Sequence, residues 1–243
     1  MTDQGLQFPK FYVTAPSPCP YLDGKTERKV FTELRGPDAA ALNEALGRVG
    51  FRRSQSVVYR PACEGCSECV SVRVRGQEFN PSRSQRRVSK LNSDVKSEIR
   101  PPQVTDEQYA LLQDYLMTRH GDGTMADMTA DEYKDMVETS PVSTLLVEYR
   151  RAIDGKLLAV ALTDELSDGL SMIYSFFDTG ETSRSLGTYL ILDHIKRVAH
   201  ANQPYVYLGY WVKNSPKMNY KGRFQPIERL GQNGWYEITP DSL

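Results

Sequence analysis

The chain has 243 residues, a formal net charge of −1, 40% hydrophobic residues and 25% charged residues. Such values describe a globular protein long enough to bury a substantial core. The balanced charge excludes a global attraction to nucleic acid or anionic membrane, and no apolar run reaches the roughly 18 residues of a membrane span. The opening MTDQGLQFPK lacks the apolar core of a signal peptide, which predicts a cytoplasmic protein.

The charge is unevenly spread. Residues 51–100 carry eleven Lys/Arg against five acids, a net of +6, and residues 101–140 carry nine acids against two bases, a net of −7. Blocks of this kind mark either an anion-binding face or ordinary solvated surface.

In chain order, residues 1–20 hold four prolines and read as an extended arm carrying Cys19. Lys29–Leu34 reads as a strand ended by Gly36-Pro37. Asp38 then stands as the cap of a helix from Ala39 to about Val49. Ser54–Arg60 is the next strand. Val70–Arg75 sets Val72 and Val74 against Arg73 and Arg75, a strand with one basic face. Pro81-Ser82 opens a basic helix from Arg83 to about Leu91, and Val95–Ile99 reads as a short strand.

Pro101-Pro102 is the strongest boundary signal. It divides the chain into an N-terminal Cys-containing basic domain (1–100) and a second domain (101–243). Thr105 and Gln108, then Thr129 and Glu132, have the spacing of capping boxes and predict helices to about Thr118 and Val137. Gly121–Gly123 between them reads as a loop. Three strands follow, Thr144–Ala152, Leu157–Asp164 and Leu170–Phe177, joined by Asp154-Gly155 and Asp168-Gly169, which are strong hairpin signals.

After this meander come a one-glycine loop and a helix with apolar positions at Leu186, Tyr189, Leu190, Ile195 and Val198. An aromatic strand follows, Tyr205–Val212. Lys213, Lys217, Lys221 and Arg223, interleaved with Tyr220 and Phe224, form a basic segment before a last strand at Trp235–Thr239. A loop, a helix N-terminus at Ser185-Leu186-Gly187 and a basic aromatic wall suit an anionic ligand. The fold expected is α+β. The element order of the second half resembles the acyltransferase fold of the GNAT superfamily, and that likeness does not fix function.

There are four cysteines, Cys19, Cys63, Cys66 and Cys69, and three of them form C-x2-C-x2-C. Disulfides are disfavoured in a cytoplasmic protein. Spacing alone leaves reduced unliganded thiols, an iron–sulfur cluster and zinc as open alternatives.

The segments PCPYL, YRPACEGCSEC, PSRSQRRV, YLMTRH, YSFFDTG, SLGTYLILDHIK and YLGYWVKNSPKMNYKGRF occur in this order over nearly the whole chain. In this the sequence resembles the arginyl-tRNA–protein transferase family, most closely its short bacterial branch of aspartate/glutamate leucyltransferases. The resemblance implies transfer of leucine from leucyl-tRNA to the N-terminal α-amine of proteins beginning with Asp or Glu. The product is marked for degradation by the N-end rule route.

That chemistry is aminolysis of an ester. It needs an oriented, neutral amine that can lose a proton, and no cofactor. Asp178, in YSFFDTG, is the candidate base. Thr179 stands where the family usually has proline. A cation must read the acceptor's acid, with Arg83, Arg86, Arg87, Arg119, Lys90 and Arg73 as candidates; phosphate contact is their alternative role. The charged tRNA end is expected against Ser185, Leu186, Gly187, Tyr210, Lys217, Tyr220, Lys221 and Arg223. Tyr207 and Trp211 read as core.

Other readings compete. An arginyltransferase would share the acceptors and differ in the aminoacyl pocket. An acyl-CoA-dependent N-acetyltransferase would need a glycine-rich pyrophosphate loop, and RSLG has one glycine. A non-enzymatic zinc module leaves the second half unexplained.

Overall fold

The computed structural model describes residues 9–120, 127–213 and 215–239, without the side chain of His120. The loop expected at Gly121–Gly123 and the opening residues 1–8 lie outside the described residues.

Fourteen strands and five α-helices follow one another among these residues. The first hundred residues form β1 (Tyr12–Val13), β2 (Ser17–Pro18), β3 (Thr26–Glu27), β4 (Lys29–Glu33), α1 (Ala39–Arg48), β5 (Arg52–Ser54), β6 (Val57–Pro61), β7 (Val70–Arg75), α2 (Arg83–Leu91) and β8 (Val95–Arg100). Then come α3 (Asp106–His120), α4 (Ala130–Glu138), β9 (Thr144–Arg151), β10 (Leu157–Leu166), β11 (Gly169–Phe177), α5 (Leu186–His200), β12 (Tyr205–Trp211), β13 (Ile227–Gly231) and β14 (Gly234–Ile238). Short 3-10 turns occupy Thr182–Arg184 and Asn219–Arg223.

Local chemistry explains most starts and stops. Gln108 N–H donates to Thr105 Oγ1 at 3.2 Å while Thr105 N–H donates back to Gln108 Oε1 at 3.2 Å, closing the first capping box. Thr129 and Glu132 close the second, and Ser82 with Gln85 closes another at α2. Asp38 precedes α1 but makes no side-chain capping bond. The sequence reading gave no strand at β1, β2, β3, β5 or β13. The first four have only two or three residues, and β13 carries mixed polar side chains, so none shows a clear period.

Eight strands form one sheet in the order β14-β13-β7-β12-β11-β10-β9-β8. Every neighbouring pair is antiparallel except β11 and β12, which run parallel. The sheet takes β7 and β8 from before Pro101-Pro102 and six strands from after it, so the paired prolines do not part the strands into two sheets. A smaller sheet, β1-β4-β6-β5, carries α1.

Both faces of the large sheet are covered. Leu190, Ile191, Ile195 and Val198 of α5 pack on the side of Val72, Val74, Val147, Ala159, Ala161 and Val206. Leu112 and Leu116 of α3 with Tyr133 and Val137 of α4 pack on the side of Leu146, Val160, Leu162 and Phe176. Burial on two faces is why β10 reads as a near-continuous apolar run instead of an alternating one. His194 lies in this core as a neutral imidazole. Leu190 O is 2.8 Å from its Nδ1, Thr163 Oγ1 is 2.9 Å from its Nε2, and burial lowers its pKa.

The parallel pair depends on a glycine. A Cβ on Gly169 would stand 1.9 Å from Tyr205 O, and its φ is +154°. Only glycine lets β11 begin its pairing with β12 at this distance.

Candidate active site

The register of β11 on β12 runs through Gly169↔Tyr205, Leu170↔Val206 and Ser171↔Tyr207 and then stops. β11 continues to Phe177 and β12 to Trp211. From Met172 and Gly209 onward the two strands diverge, and polar main-chain groups of both are free to take other partners. Gly209 sits at the irregularity in β12, with φ +76°. A Cβ there would meet the Arg52 guanidinium at 2.6 Å. Arg52 of β5 lies against this opening and donates from Nη2 to Met172 O.

Asp178 ends β11. Its Oδ1 accepts the Gly180 N–H at 2.8 Å and its Oδ2 meets Lys156 Nζ at 2.7 Å. Burial raises this carboxyl, but the Lys156 ammonium and the Gly180 amide outweigh burial and hold it below the usual carboxylate value. A cleft of about 530 Å³ opens beside it, lined by Glu107, Leu111, Asp114, Met117, Thr118 and Lys156. Nearby, Tyr115 of α3 meets the Phe177 ring edge-on at 5.0 Å, and the Arg119 guanidinium lies 5.9 Å from the same ring.

The start of α5 abuts the same strand end. Ser185 takes a left-handed φ of +51° and makes no capping bond, and Leu186 is buried. A Cβ on Gly187 would stand 3.2 Å from Phe177 Cε1, so a small residue lets the helix close on β11. Arg184 is already engaged, meeting Asp94 at 2.7 Å and Glu181 at 2.9 Å.

The other predicted residues divide. Lys217, Tyr220 and Arg223 are exposed. Tyr210 and Lys221 were expected beside them, but both are buried. Tyr210 points inward on β12, its hydroxyl donating to Gly50 O at 2.9 Å or Tyr59 O at 3.0 Å. The 3-10 turn folds Lys221 back, so that its Nζ donates to Tyr210 O at 2.7 Å. Tyr207 and Trp211 are core, as expected.

Arg73 is also buried. It pairs with Glu228 at 2.7 Å and stacks 3.5 Å from the Tyr205 ring centroid and 4.4 Å from that of Trp235. It ties β7 to β12, β13 and β14 and does not line an open site. Arg83, Arg86, Arg87 and Lys90 of α2 remain exposed and make no ion pair among the described residues. Gln85 of the same helix donates to Arg223 O at 3.0 Å, and Asn92 donates to Arg184 O at 2.8 Å. These two bonds dock α2 beside both the Asn219–Arg223 turn and the loop before α5. Two basic segments far apart in sequence thus form one positive face.

None of the four cysteines forms a disulfide, and all are half-buried. The hairpin of β2 and β3 brings Cys19 to the other three: burial pushes the Cys69 thiol up to about 12, and Cys19, Cys63 and Cys66 add to it. Among the described residues no three His, Cys, Asp or Glu side chains stand as a formed metal site. The thiols have the softness for zinc or iron, but they are gathered without ligating geometry.

Two family models match. "Arginine-tRNA-protein transferase, N terminus" covers residues 17–87 and "Arginine-tRNA-protein transferase, C terminus" covers residues 107–231. A protein of Sphingopyxis alaskensis named "Aspartate/glutamate leucyltransferase" is 56% identical, covering 97% of this chain and 93% of the relative. A protein of Rhodopseudomonas palustris with the same name is 56% identical over 98% of this chain and 95% of its own. Among solved structures, L-PGS from Bacillus licheniformis aligns with a TM-score of 0.47 and 9% identity, covering 77% of this chain and 54% of that one.

Proposed function

The chain belongs to the arginine-tRNA-protein transferase family, and from that premise we infer that it moves leucine from leucyl-tRNA to the N-terminal α-amine of proteins beginning with Asp or Glu. The observation that carries this is the 56% identity, across nearly the full length of both chains, to relatives named for that transfer. The protein is an aminoacyltransferase. No helix among its described residues is long and apolar enough to cross a membrane.

The acceptor amine attacks the leucyl ester, and the tRNA's terminal oxygen leaves. The nitrogen becomes strongly acidic only as it adds to the carbonyl, so an ionised carboxylate suffices to take its proton. Asp178 is that carboxylate in this reading, at the end of the strand that borders the opening. Lys156 and the Gly180 amide hold it in one orientation.

The exposed cations of α2, with Lys217 and Arg223, hold the tRNA backbone, and Tyr220 offers a ring to an unstacked base. The docking of α2 against Arg223 supports this role for Arg83, Arg86, Arg87 and Lys90 over reading the acceptor's acid. Replacing Arg83 and Arg223 together by Ala is expected to weaken leucyl-tRNA binding and to flatten the log–log salt slope by about 0.7–0.9 per cation. Filter binding across a salt series measures this, and an unchanged slope contradicts phosphate contact.

The direct test supplies radiolabelled leucyl-tRNA or arginyl-tRNA with peptides starting in Asp, Glu or Ala. Label is expected on the acidic starts from leucyl-tRNA alone. Label from arginyl-tRNA instead would make the donor arginine, and no label from either would overturn the reading.

A further inference from the structure

Two cations face the opening between β11 and β12 without a counter-charge, Lys221 buried and Arg52 half-buried. Lys221 is 8% exposed, and its only partner among the described residues is Tyr210 O at 2.7 Å, leaving two ammonium protons without an acceptor. Arg52 gives Nη2 to Met172 O, while its Nη1 is buried with no partner. Neither meets a carboxylate among the described residues, whereas the two buried arginines, Arg53 and Arg73, both do. A buried charge left unpaired costs several kcal/mol, so folds retain one where a ligand supplies the partner.

The two cations act on the same space. One is bonded to the β11 side of the opening and the other to the β12 side. They sense each other: burial first, and then the Arg52 charge, push the Lys221 ammonium down to about 7. Tyr174, on the diverging part of β11, has a buried hydroxyl with no partner.

Resting on the transfer reaction inferred above, we propose that Arg52 and Lys221 bind the side-chain carboxylate of the acceptor's first residue. They are specificity-determining residues, in place of the six candidates named from the sequence. A planar guanidinium and a point ammonium on either side of one carboxylate satisfy its oxygens and return the missing charge to both cations. The same pair rejects an uncharged first residue, which would leave them unpaired in the interior.

The test compares steady-state transfer to peptides starting in Asp and in Asn, with leucyl-tRNA varied separately. The protein itself is expected to prefer Asp strongly. Arg52→Gln and Lys221→Met are each expected to raise KM for the Asp peptide by about 30-fold or more, the lower end of what truncating one partner of a buried charge pair costs. The preference for Asp over Asn should shrink by a similar factor, with KM for leucyl-tRNA unchanged. Arg52→Lys keeps the charge and loses the fork, and guards against loss of folding in the other two. It is expected to recover part of the preference. A raised KM for leucyl-tRNA with an intact Asp preference would assign the cations to a tRNA phosphate and overturn the proposal. Absence of transfer by the unmodified protein would instead overturn the reaction itself.

Discussion

Asp164→Asn is expected to lower the unfolding free energy by about 3–5 kcal/mol, the cost of stranding one charge of a buried ion pair. Arg53 and Asp164 are each 1% exposed at the side chain, with Nε to Oδ2 at 2.6 Å and Nη2 to Oδ1 at 2.6 Å. Thr144 Oγ1 donates a further bond to Oδ1 at 2.9 Å, and Arg53 Nη1 is held by Gln55 O at 2.7 Å. Nothing remains to neutralise Arg53 once the carboxylate is gone. For a chain of this size the melting temperature should fall by roughly 10 °C. Because Arg53 belongs to β5 and Asp164 to β10, the pair also fastens the small sheet to the large one, and Arg52 is the next residue on β5. Transfer should therefore weaken at temperatures where the variant is still folded. Replacing both partners, Arg53→Met with Asp164→Leu, should cost less than the single change, since no charge is stranded. Denaturant titration decides this; a loss below about 1 kcal/mol would show the pair to be dispensable.

Asp178→Asn is expected to lower the transfer rate by roughly 10²-fold or more, the usual contribution of a positioned proton acceptor. Lys156→Met removes the ion pair but keeps the carboxylate, so its effect on the rate should be much smaller. Near-normal turnover by Asp178→Asn would leave the residue a turn former that caps Gly180. The pH behaviour follows from the lowered carboxyl pKa. Asp178 stays ionised through neutral and mildly acidic pH, so a decline in rate from pH 7 to 5 belongs to protonation of the acceptor amine. The stability that Asp178 draws from its partners is fully present above the unfolded carboxylate value of about 3.9 and is lost as pH falls through the lower folded value.

Much of this was legible before any coordinates. The capping boxes at Thr105 and Thr129, the Asp-Gly hairpins and the apolar period of α5 are local signals, set by contacts within a few residues, and the structure carries each of them. The long motifs identified the family. Asp178 was readable as a candidate because it directly follows a strand whose partners were readable.

The sequence by itself determined the elements of the second half other than β13, the family and the candidate carboxylate, because these depend on local periodicity and on motif identity. The tertiary structure alone decided which cations are free. Arg73 looks available in a basic strand, yet Glu228 and two rings enclose it from 130 or more positions away. Lys221 reads as a member of a basic surface, yet a single 3-10 turn carries it inside to Tyr210 O. Arg52 and Arg53 are adjacent and alike in sequence, and only the placement of Asp164 on β10 gives one of them a carboxylate and leaves the other with a main-chain carbonyl alone. Side-chain charge is written in the sequence; whether that charge is paired depends on pairings across the fold.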